Sequence, residues 1–338
     1  MKALQIIKDG VTAVTNIDCP EPKAGEVLLK IGYVGFCGSD LNTFRGMNPL
    51  VKLPVIPGHE IGATVQAVGA DVPSSIKPGM TATVNPYTAC GHCPACGNMR
   101  PNACEHNETM GVQRDGAMQE YITLPWQKVI PCPGLPLTDL ALVEPMSVGF
   151  HAVSRGAVTD SDTVMVIGCG MIGVGAIVRA NLRGANVIAV DVDDNKLALA
   201  KELGAAHTIN SLTDDVHRQV AAITCGRGCD VVIEAVGRPQ TYNTAISEVA
   251  FTGRVVYIGY AKEHVCFDTS YFVKKELDIR GSRNAMPADF KAVIKYLMRG
   301  TCPTGRLISA VVKPEDAQTA LENWSSNPGD IFRILVEF

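Results

Sequence analysis

Short apolar segments separated by glycine and proline make up the first third of the chain. They occur in EVLLKIGYVGF, ATVQAVG, MTATVNP and EYITLP. Short apolar runs with this punctuation are typical of β-strands joined by tight turns. The pattern predicts an all-β region, built as a small irregular barrel or sandwich.

From about residue 160 the pattern changes to longer alternating segments. The apolar runs TVMVIGCG, NVIAVDV, CDVVIEAVG and GRVVYIGY alternate with helix-like stretches at 171–183, in DNKLALAKELG and near 241–249. Continuous Val/Ile runs alternating with helices indicate a parallel sheet covered on both faces. After DIRGSRNA we expect one or two helices and a final strand in DIFRILVEF, which would return to the first domain.

Length, charge and hydropathy narrow the class of protein. The chain has 338 residues, enough for two domains or one large composite, with 46% hydrophobic and 19% charged residues. The net charge of −4 argues against a general attraction to nucleic acid. No long apolar run predicts a transmembrane helix, and the N-terminal stretch is too polar for a signal peptide. We expect a cytoplasmic protein with a small-molecule substrate, no nucleic-acid partner and no membrane association.

The twelve cysteines fall into two groups. Clustered cysteines in a cytoplasmic chain more often bind metal than form disulfides. The scattered ones are interpreted as small buried hydrophobic residues; they are Cys19, Cys132, Cys169, Cys225, Cys229, Cys266 and Cys302.

A glycine-rich turn predicts a dinucleotide site. The run Gly168-Cys169-Gly170-Met171-Ile172-Gly173 follows a predicted strand, opens a predicted helix, and precedes a strand that ends in Asp191. The glycines would allow a tight turn, close approach of a pyrophosphate and close helix packing, while the helix N-terminus attracts phosphate. A carboxylate at Asp191 would bind the ribose hydroxyls and repel a 2′-phosphate, which favours NAD over NADP. The alternative is a plain strand–helix turn.

Four cysteines close together predict a closed metal site. The ligands would be Cys90, Cys93, Cys96 and Cys104, in the spacing C-x2-C-x2-C-x7-C. Four thiolates suit structural zinc, although iron–sulfur ligation competes and a nucleic-acid-binding zinc ribbon is a further alternative. The neighbouring His92 and His106 are interpreted as surface residues.

A second, incomplete set of metal ligands is more dispersed. Cys37 stands alone in GFCGSDLN, His59 and Glu60 follow a predicted turn, and Glu144 interrupts the apolar segment LALVEPMSVG. One cysteine, one histidine and one or two carboxylates would leave a position for water or substrate, as catalytic zinc does. Spacing alone leaves open that these are ordinary buried or surface residues.

Together these motifs resemble the zinc-dependent medium-chain dehydrogenase/reductase superfamily, most closely its sorbitol (polyol) and L-threonine dehydrogenase branch. The matching elements occur in the family's order along essentially the whole chain; they are 37–40, 58–60, the four cysteines, 144–145, the glycine run and Asp191. The resemblance implies an α/β protein with a GroES-like β catalytic domain (1–148), a Rossmann doubly wound parallel-sheet domain (149–281) and a C-terminal return to the catalytic domain (282–338). It also implies a homodimer or homotetramer, with NAD, one catalytic zinc and one structural zinc per chain.

Residue roles follow from the same resemblance. Cys37 and His59 would bind the catalytic zinc, Glu60 is a direct ligand in sorbitol-dehydrogenase-like members, and Glu144 would reach zinc directly or through its water. Ser39 would hydrogen-bond the substrate oxygen, with Phe44, Glu144, Arg283 and Asn284 as further substrate contacts. The residues implied for the cofactor are Gly168, Gly170, Met171, Ile172, Gly173, Asp191, Lys196, Ile258, Gly259, Tyr260, Ser282 and Arg283.

Two positions depart from the family pattern. Asn42 stands where the branch often has a histidine that passes protons to solvent, so the proton exit route is open to question. Ala63 replaces the usual glycine and affects only packing.

The expected function is oxidation of a secondary alcohol of a polyol, sugar or sugar acid by NAD. Arg283 favours a carboxylate-bearing substrate such as an aldonate, because a guanidinium pairs well with a carboxylate. Its alternative role is to order the nicotinamide or Glu144. The competing functions are L-threonine-dehydrogenase-like oxidation of an amino alcohol and a non-enzymatic NAD(H)-binding protein.

Overall fold

The computed structural model describes residues 1–327, 329 and 331–338. The chain divides into two compact units, one formed by Met1–Pro145 with Met286–Phe338 and the other by Met146–Ala285. The sequence predicted domains at 1–148, 149–281 and 282–338, and these boundaries remain a prediction.

The strands and helices have the following bounds. The strands are β1 Lys2–Lys8, β2 Val11–Asn16, β3 Glu26–Phe36, β4 Glu60–Val68, β5 Thr81–Val84, β6 Tyr121–Pro125, β7 Val129–Pro131, β8 Thr163–Ile167, β9 Asn186–Asp191, β10 His207–Asn210, β11 Cys229–Glu234, β12 Val249–Tyr257, β13 Asp278–Gly281, β14 Ala310–Val312 and β15 Ile334–Glu337. The helices are α1 Gly38–Phe44, α2 Pro94–Gly97, α3 Leu137–Ala141, α4 Val143–Arg155, α5 Met171–Leu182, α6 Asp194–Glu202, α7 Val216–Thr224, α8 Pro239–Glu248, α9 Ser270–Lys274, α10 Pro287–Leu297, α11 Thr304–Leu307 and α12 Ala317–Ser326.

The first unit is built on a mainly antiparallel sheet with β3 at its centre. Its strands run in the order β14-β15-β3-β4-β5-β7, and β6 also pairs with β3. Along β3, Val27, Leu29 and Ile31 belong to the core cluster, whereas Leu28 between them is buried outside that cluster and Lys30 is exposed. Alternate residues therefore face the core, as in a strand with one face on it. The β-rich character expected of the first third is confirmed, with the short helices α1, α2 and α3 added to it.

The C-terminal tail adds a strand to this sheet. Residues Ile334–Glu337 of β15 pair antiparallel with Tyr33–Phe36 of β3. The final strand expected in DIFRILVEF is therefore present, except that Asp330 of that segment lies outside the described residues. This pairing carries the residues just before β15 to the end of β3, where the first candidate site begins.

The second unit is a doubly wound parallel sheet, as expected. All its strand pairs are parallel, in the order β10-β9-β8-β11-β12-β13, which is the arrangement of two mononucleotide-binding halves. Alternate residues of β8 enter two different core clusters, Val164 and Val166 in one and Met165 and Ile167 in the other. Both faces of the sheet are therefore buried, which explains the continuous apolar runs.

No disulfide joins any of the twelve cysteines within the described residues. Cys132, Cys169 and Cys229 are buried, as expected of small hydrophobic residues. That interpretation is wrong for Cys19, Cys225 and Cys266, which are exposed, and Cys302 is half-buried. The three exposed cysteines lie outside the strands and helices.

None of the described helices has the length and apolar character needed to cross a membrane.

Candidate active site and metal centres

Cys37 is held at the point where β3 gives way to α1. It has extended backbone angles and caps α1, and its backbone N–H donates to Asp40 Oδ2 at 2.7 Å. Asp40, only 1% exposed, therefore orients the turn that carries the thiol. Two residues on, Ser39 Oγ is buried and has no hydrogen-bond partner within the described residues. A buried hydroxyl in that state is ready to bond a ligand oxygen.

His59 and Glu60 follow Gly58, which has a positive-φ backbone that residues with a side chain rarely adopt. Gly58 has φ +101°, and a Cβ on Gly111 would lie 2.5 Å from the Gly58 nitrogen. A Cβ on Gly116 would lie 2.4 Å from the Gly58 carbonyl oxygen. This close backbone packing fixes the turn that presents His59 and starts β4 at Glu60.

Cys37, His59 and Glu60 come together in the structure, although 21 residues lie between Cys37 and His59 in the sequence. One ligand atom from each lies within 4.8 Å of the others. His59 Nδ1 and both carboxylate oxygens of Glu60 are buried and lack a hydrogen-bond partner in the described parts of the chain. Burial raises the pKa of Glu60 to about 7, although Arg333 opposes the shift. Buried nitrogen and oxygen atoms that make no hydrogen bond can instead bind a cation through their lone pairs, and the set suits zinc with a position left open.

Arg333 is a site residue that the sequence analysis missed. It is 4% exposed, its Nε lies 3.1 Å from Glu60 Oε2, and its Nη1 donates to the Phe36 carbonyl at 2.5 Å. Gly35 makes room, because a Cβ there would lie 2.2 Å from Glu60 Oε2. The only signal in the sequence was an arginine inside the apolar segment IFRILV.

Glu144 is buried in the first turn of α4 and accepts a hydrogen bond from the Tyr87 hydroxyl. Burial raises the pKa of Tyr87, and the Glu144 carboxylate raises it further. The group of three ligand atoms described above does not include Glu144, so its role as a zinc ligand stays a prediction. Tyr87 was missed because nothing in VNPYTAC separates it from a core tyrosine.

The four clustered cysteines converge on one point. Their sulfurs all lie within 4.8 Å of one another, with Cys93–Cys96 at 3.5 Å, Cys93–Cys104 at 3.8 Å and Cys90–Cys104 at 3.5 Å. A tetrahedral zinc with bonds of about 2.3 Å needs sulfurs roughly 3.8 Å apart. The cluster therefore fits a closed, structural zinc site.

The predicted glycine turn joins β8 to α5. Gly168 has φ +94°, and a Cβ on Gly173 would lie 1.8 Å from the Gly168 carbonyl oxygen, so the helix packs against the turn. Gly170 is the N-cap of α5, and nothing lies within 4 Å of where its Cβ would stand. Asp191, at the end of β9, accepts from Cys169 N at 2.6 Å. Open space at a helix N-terminus beside this carboxylate fits the pyrophosphate and ribose of NAD.

The remaining predicted residues are placed as follows. Phe44 is 5% exposed within the core of the first unit, Lys196 lies in the first turn of α6, and Tyr260 is 80% exposed after β12. Met171, Ile258 and Ser282 are buried, Gly259 approaches Gly237, and Ile172, Arg283 and Asn284 are half-buried. Asn42 lies in α1. Their roles with cofactor, substrate and proton stay predictions.

Comparisons with known proteins agree with both halves of the chain. Residues 23–134 match the alcohol dehydrogenase GroES-like domain, and residues 172–299 match the zinc-binding dehydrogenase family. The chain is 33% identical to the L-galactonate-5-dehydrogenase of Escherichia coli K12 over 84% of this chain and 83% of that protein. It is 31% identical to the sorbitol dehydrogenase of Bacillus subtilis over 99% of this chain and 97% of that protein.

A solved structure adds the cofactor to this comparison. The rspB alcohol dehydrogenase of Escherichia coli CFT073, complexed with NADH, is 29% identical to the chain with a TM-score of 0.91, covering 100% of this chain and 99% of that one. Both family matches, the two relatives and the metal-ligand sets described above point the same way. The chain belongs to the zinc-type medium-chain alcohol dehydrogenase family, in its sorbitol-dehydrogenase-like branch.

Proposed function

We propose that this NAD-dependent zinc alcohol dehydrogenase oxidises a secondary alcohol of a polyol, sugar or sugar acid. The observation that carries the proposal is the set of Cys37, His59 and Glu60, whose ligand atoms lie within 4.8 Å of one another. Three protein ligands leave a position for the substrate, which a closed structural site would not.

Each residue has a part in this chemistry. Zinc supplies a Lewis acid that makes an alcohol more acidic, and NAD supplies the hydride acceptor. Cys37, His59 and Glu60 would hold the metal, and Arg333 would keep Glu60 oriented through its 3.1 Å contact. Ser39 Oγ, which is buried and makes no hydrogen bond in the described residues, would accept the proton of the substrate hydroxyl while passing its own proton on to water or the cofactor ribose. The glycine turn with Asp191 would hold the dinucleotide.

Metal removal tests the proposal directly. Chelation should abolish NADH formation from a panel of polyols, aldonates and threonine, and added zinc should restore it. Full turnover by metal-free protein would rule the proposal out. Turnover of threonine alone would instead favour the amino-alcohol function.

Within this class we favour a sugar acid, because one relative acts on L-galactonate by name and Arg283 offers a guanidinium. Arg283→Met should raise KM for aldonates about tenfold or more and leave KM for neutral polyols nearly unchanged. An equal change for both substrates would assign Arg283 to the cofactor.

We also propose a homodimer or homotetramer in the cytoplasm. In the second unit β13 is an edge strand of the sheet, and Ile279 on it and Phe251 on β12 are exposed. An exposed apolar edge favours pairing with another copy. Twelve cysteines that form no disulfide among the described residues favour a reducing compartment. Light scattering after size exclusion would give the mass, and a monomer at all concentrations would contradict the oligomer.

A further inference from the structure

We propose that Cys90, His92 and His106 bind a second transition-metal ion beside the four-cysteine zinc. One ligand atom from each of the three lies within 4.8 Å of the others. The two imidazole rings face one another, with centroids 6.1 Å apart and planes 28° apart. The inference rests on the proposed zinc in the four-cysteine cluster, because Cys90 belongs to both sets.

The histidines are accessible and one of them is oriented. His92 and His106 are exposed and Cys90 is half-buried, so an ion reaches the set from solvent. His92 Nδ1 lies 2.9 Å from the Cys90 carbonyl oxygen. A carbonyl only accepts, so Nδ1 carries the proton and Nε2 keeps its lone pair for a metal. Metal-binding histidines are held in this way by a hydrogen bond from their other ring nitrogen.

Charge and ligand type define the ion. Zinc with four thiolates carries a net negative charge, and Glu105 and Glu108 add to it while Arg100 is the one cation between residues 90 and 108. A second divalent cation is attracted to this segment. Two imidazoles and a thiolate that bridges both ions suit Zn²⁺, Cu²⁺ or Ni²⁺ rather than Mg²⁺ or Ca²⁺. Water would complete the coordination, since the set supplies only three ligands.

Counting bound zinc tests the inference. Full-length protein, already zinc-loaded, is dialysed against increasing free zinc and its metal content is measured. The native protein should take up one zinc ion per chain beyond the two of the proposed function. The double variant His92→Ala/His106→Ala should bind that extra ion more than ~100-fold more weakly, because loss of even an outer partner costs about 10–100-fold.

A matched control removes two exposed histidines elsewhere. His207→Ala/His264→Ala should keep the extra ion, since both side chains lie outside the set. No extra ion in the native protein, or an extra ion that survives in the double variant, overturns the inference. Either result leaves the proposed function intact, whereas a native protein that holds fewer than two zinc ions contradicts that function first.

A second measurement tests the inference if the double variant fails to fold. Cobalt added to the zinc-loaded native protein should give thiolate-to-cobalt absorption that saturates at one ion per chain. The single variant His92→Gln should lose most of that absorption, and an unchanged spectrum would overturn the inference.

Discussion

Buried polar atoms without partners mark the first metal centre at the scale of single residues. Ser39 Oγ, His59 Nδ1 and Glu60 Oε1 are in this state among the described residues, while Glu60 Oε2 makes no hydrogen bond but is ion-paired with Arg333. Leaving such a group unsatisfied costs about 1–3 kcal/mol, so a fold retains it where a ligand completes the bonding. Substitutions at these residues can therefore change activity and stability by different amounts.

Ser39→Ala should lower kcat by about 10²–10⁴-fold, the usual contribution of a positioned proton acceptor. KM should change little, and the thermal midpoint should not fall, because Ser39 Oγ makes no hydrogen bond within the described residues. Steady-state kinetics and calorimetry measure both. Ser326→Ala is the control, because its hydroxyl bonds only the Glu322 carbonyl of its own helix. An unchanged kcat in Ser39→Ala would remove the serine from the proton path.

Arg333→Met should destabilise zinc-free protein by about 3–5 kcal/mol, because it leaves the buried Glu60 carboxylate without its cation. Zinc-loaded protein should lose less, since the metal offsets the carboxylate's charge. Denaturant unfolding of both forms measures the difference. Arg333→Lys, which keeps a positive charge, should fall between the native protein and Arg333→Met. Equal losses in both metal states would show that Arg333 acts independently of the metal centre.

At the scale of elements, the turn between β8 and α5 requires glycine at two positions for two different reasons. Gly173 must lack a Cβ because α5 touches the turn, where the Gly168 carbonyl lies 1.8 Å from the position of that atom. Gly170 faces open space instead. The first glycine is required for packing, and the second leaves room for a ligand.

The pair Gly170→Ala and Gly173→Ala separates these demands. Gly173→Ala should cost about 1–3 kcal/mol or more in unfolding free energy, as overpacking does. Gly170→Ala should change stability by less than about 1 kcal/mol, because its backbone angles suit alanine. It should nevertheless weaken NAD binding at least ~10-fold, since the pyrophosphate approaches there. Calorimetric titration with NAD and thermal unfolding provide the two readouts. Tight NAD binding by Gly170→Ala would contradict the placement of the pyrophosphate.

At the scale of the whole molecule, the first unit carries two sets of metal ligands that differ in how much they contribute to folding. The four cysteines close their site completely, so their zinc would contribute to folding. The set at Cys37 is incomplete and stands on a sheet and turn that pack without it. The two centres should therefore fail in different ways.

Cys104→Ser should lower the thermal midpoint on the order of 10 °C through loss of the structural zinc. Cys37→Ser should abolish activity and shift the midpoint by only about 2 °C or less. Scanning calorimetry with metal analysis of each variant measures this. A stable Cys104→Ser protein that has lost one zinc ion would show that the four-cysteine site is not structural.

Prediction from sequence succeeded where the signal was local and failed where it was not. The parallel sheet, the glycine turn and the four-cysteine cluster depend on residues close in the chain, and each was predicted. Arg333 was missed, because its contact with Glu60 spans most of the sequence and one arginine in an apolar strand has no period to reveal it. Tyr87 and its bond to Glu144 were missed because the bond joins residues 57 positions apart and nothing around Tyr87 separates it from a core tyrosine.

The sequence by itself determined the two kinds of sheet and the ligand types, because hydrophobic period, turn residues and motif spacing are local properties, and the order of its motifs carried the resemblance to the family. Only the tertiary structure decided which ligands meet. The antiparallel pairing of β3 with β4 and β15 brings Cys37, Glu60 and Arg333 to one end of the sheet, from three distant parts of the chain. The tertiary structure also brings His92 and His106, which the sequence analysis interpreted as surface residues, within reach of Cys90. Such meetings depend on strand register and backbone packing, which no short stretch of sequence specifies.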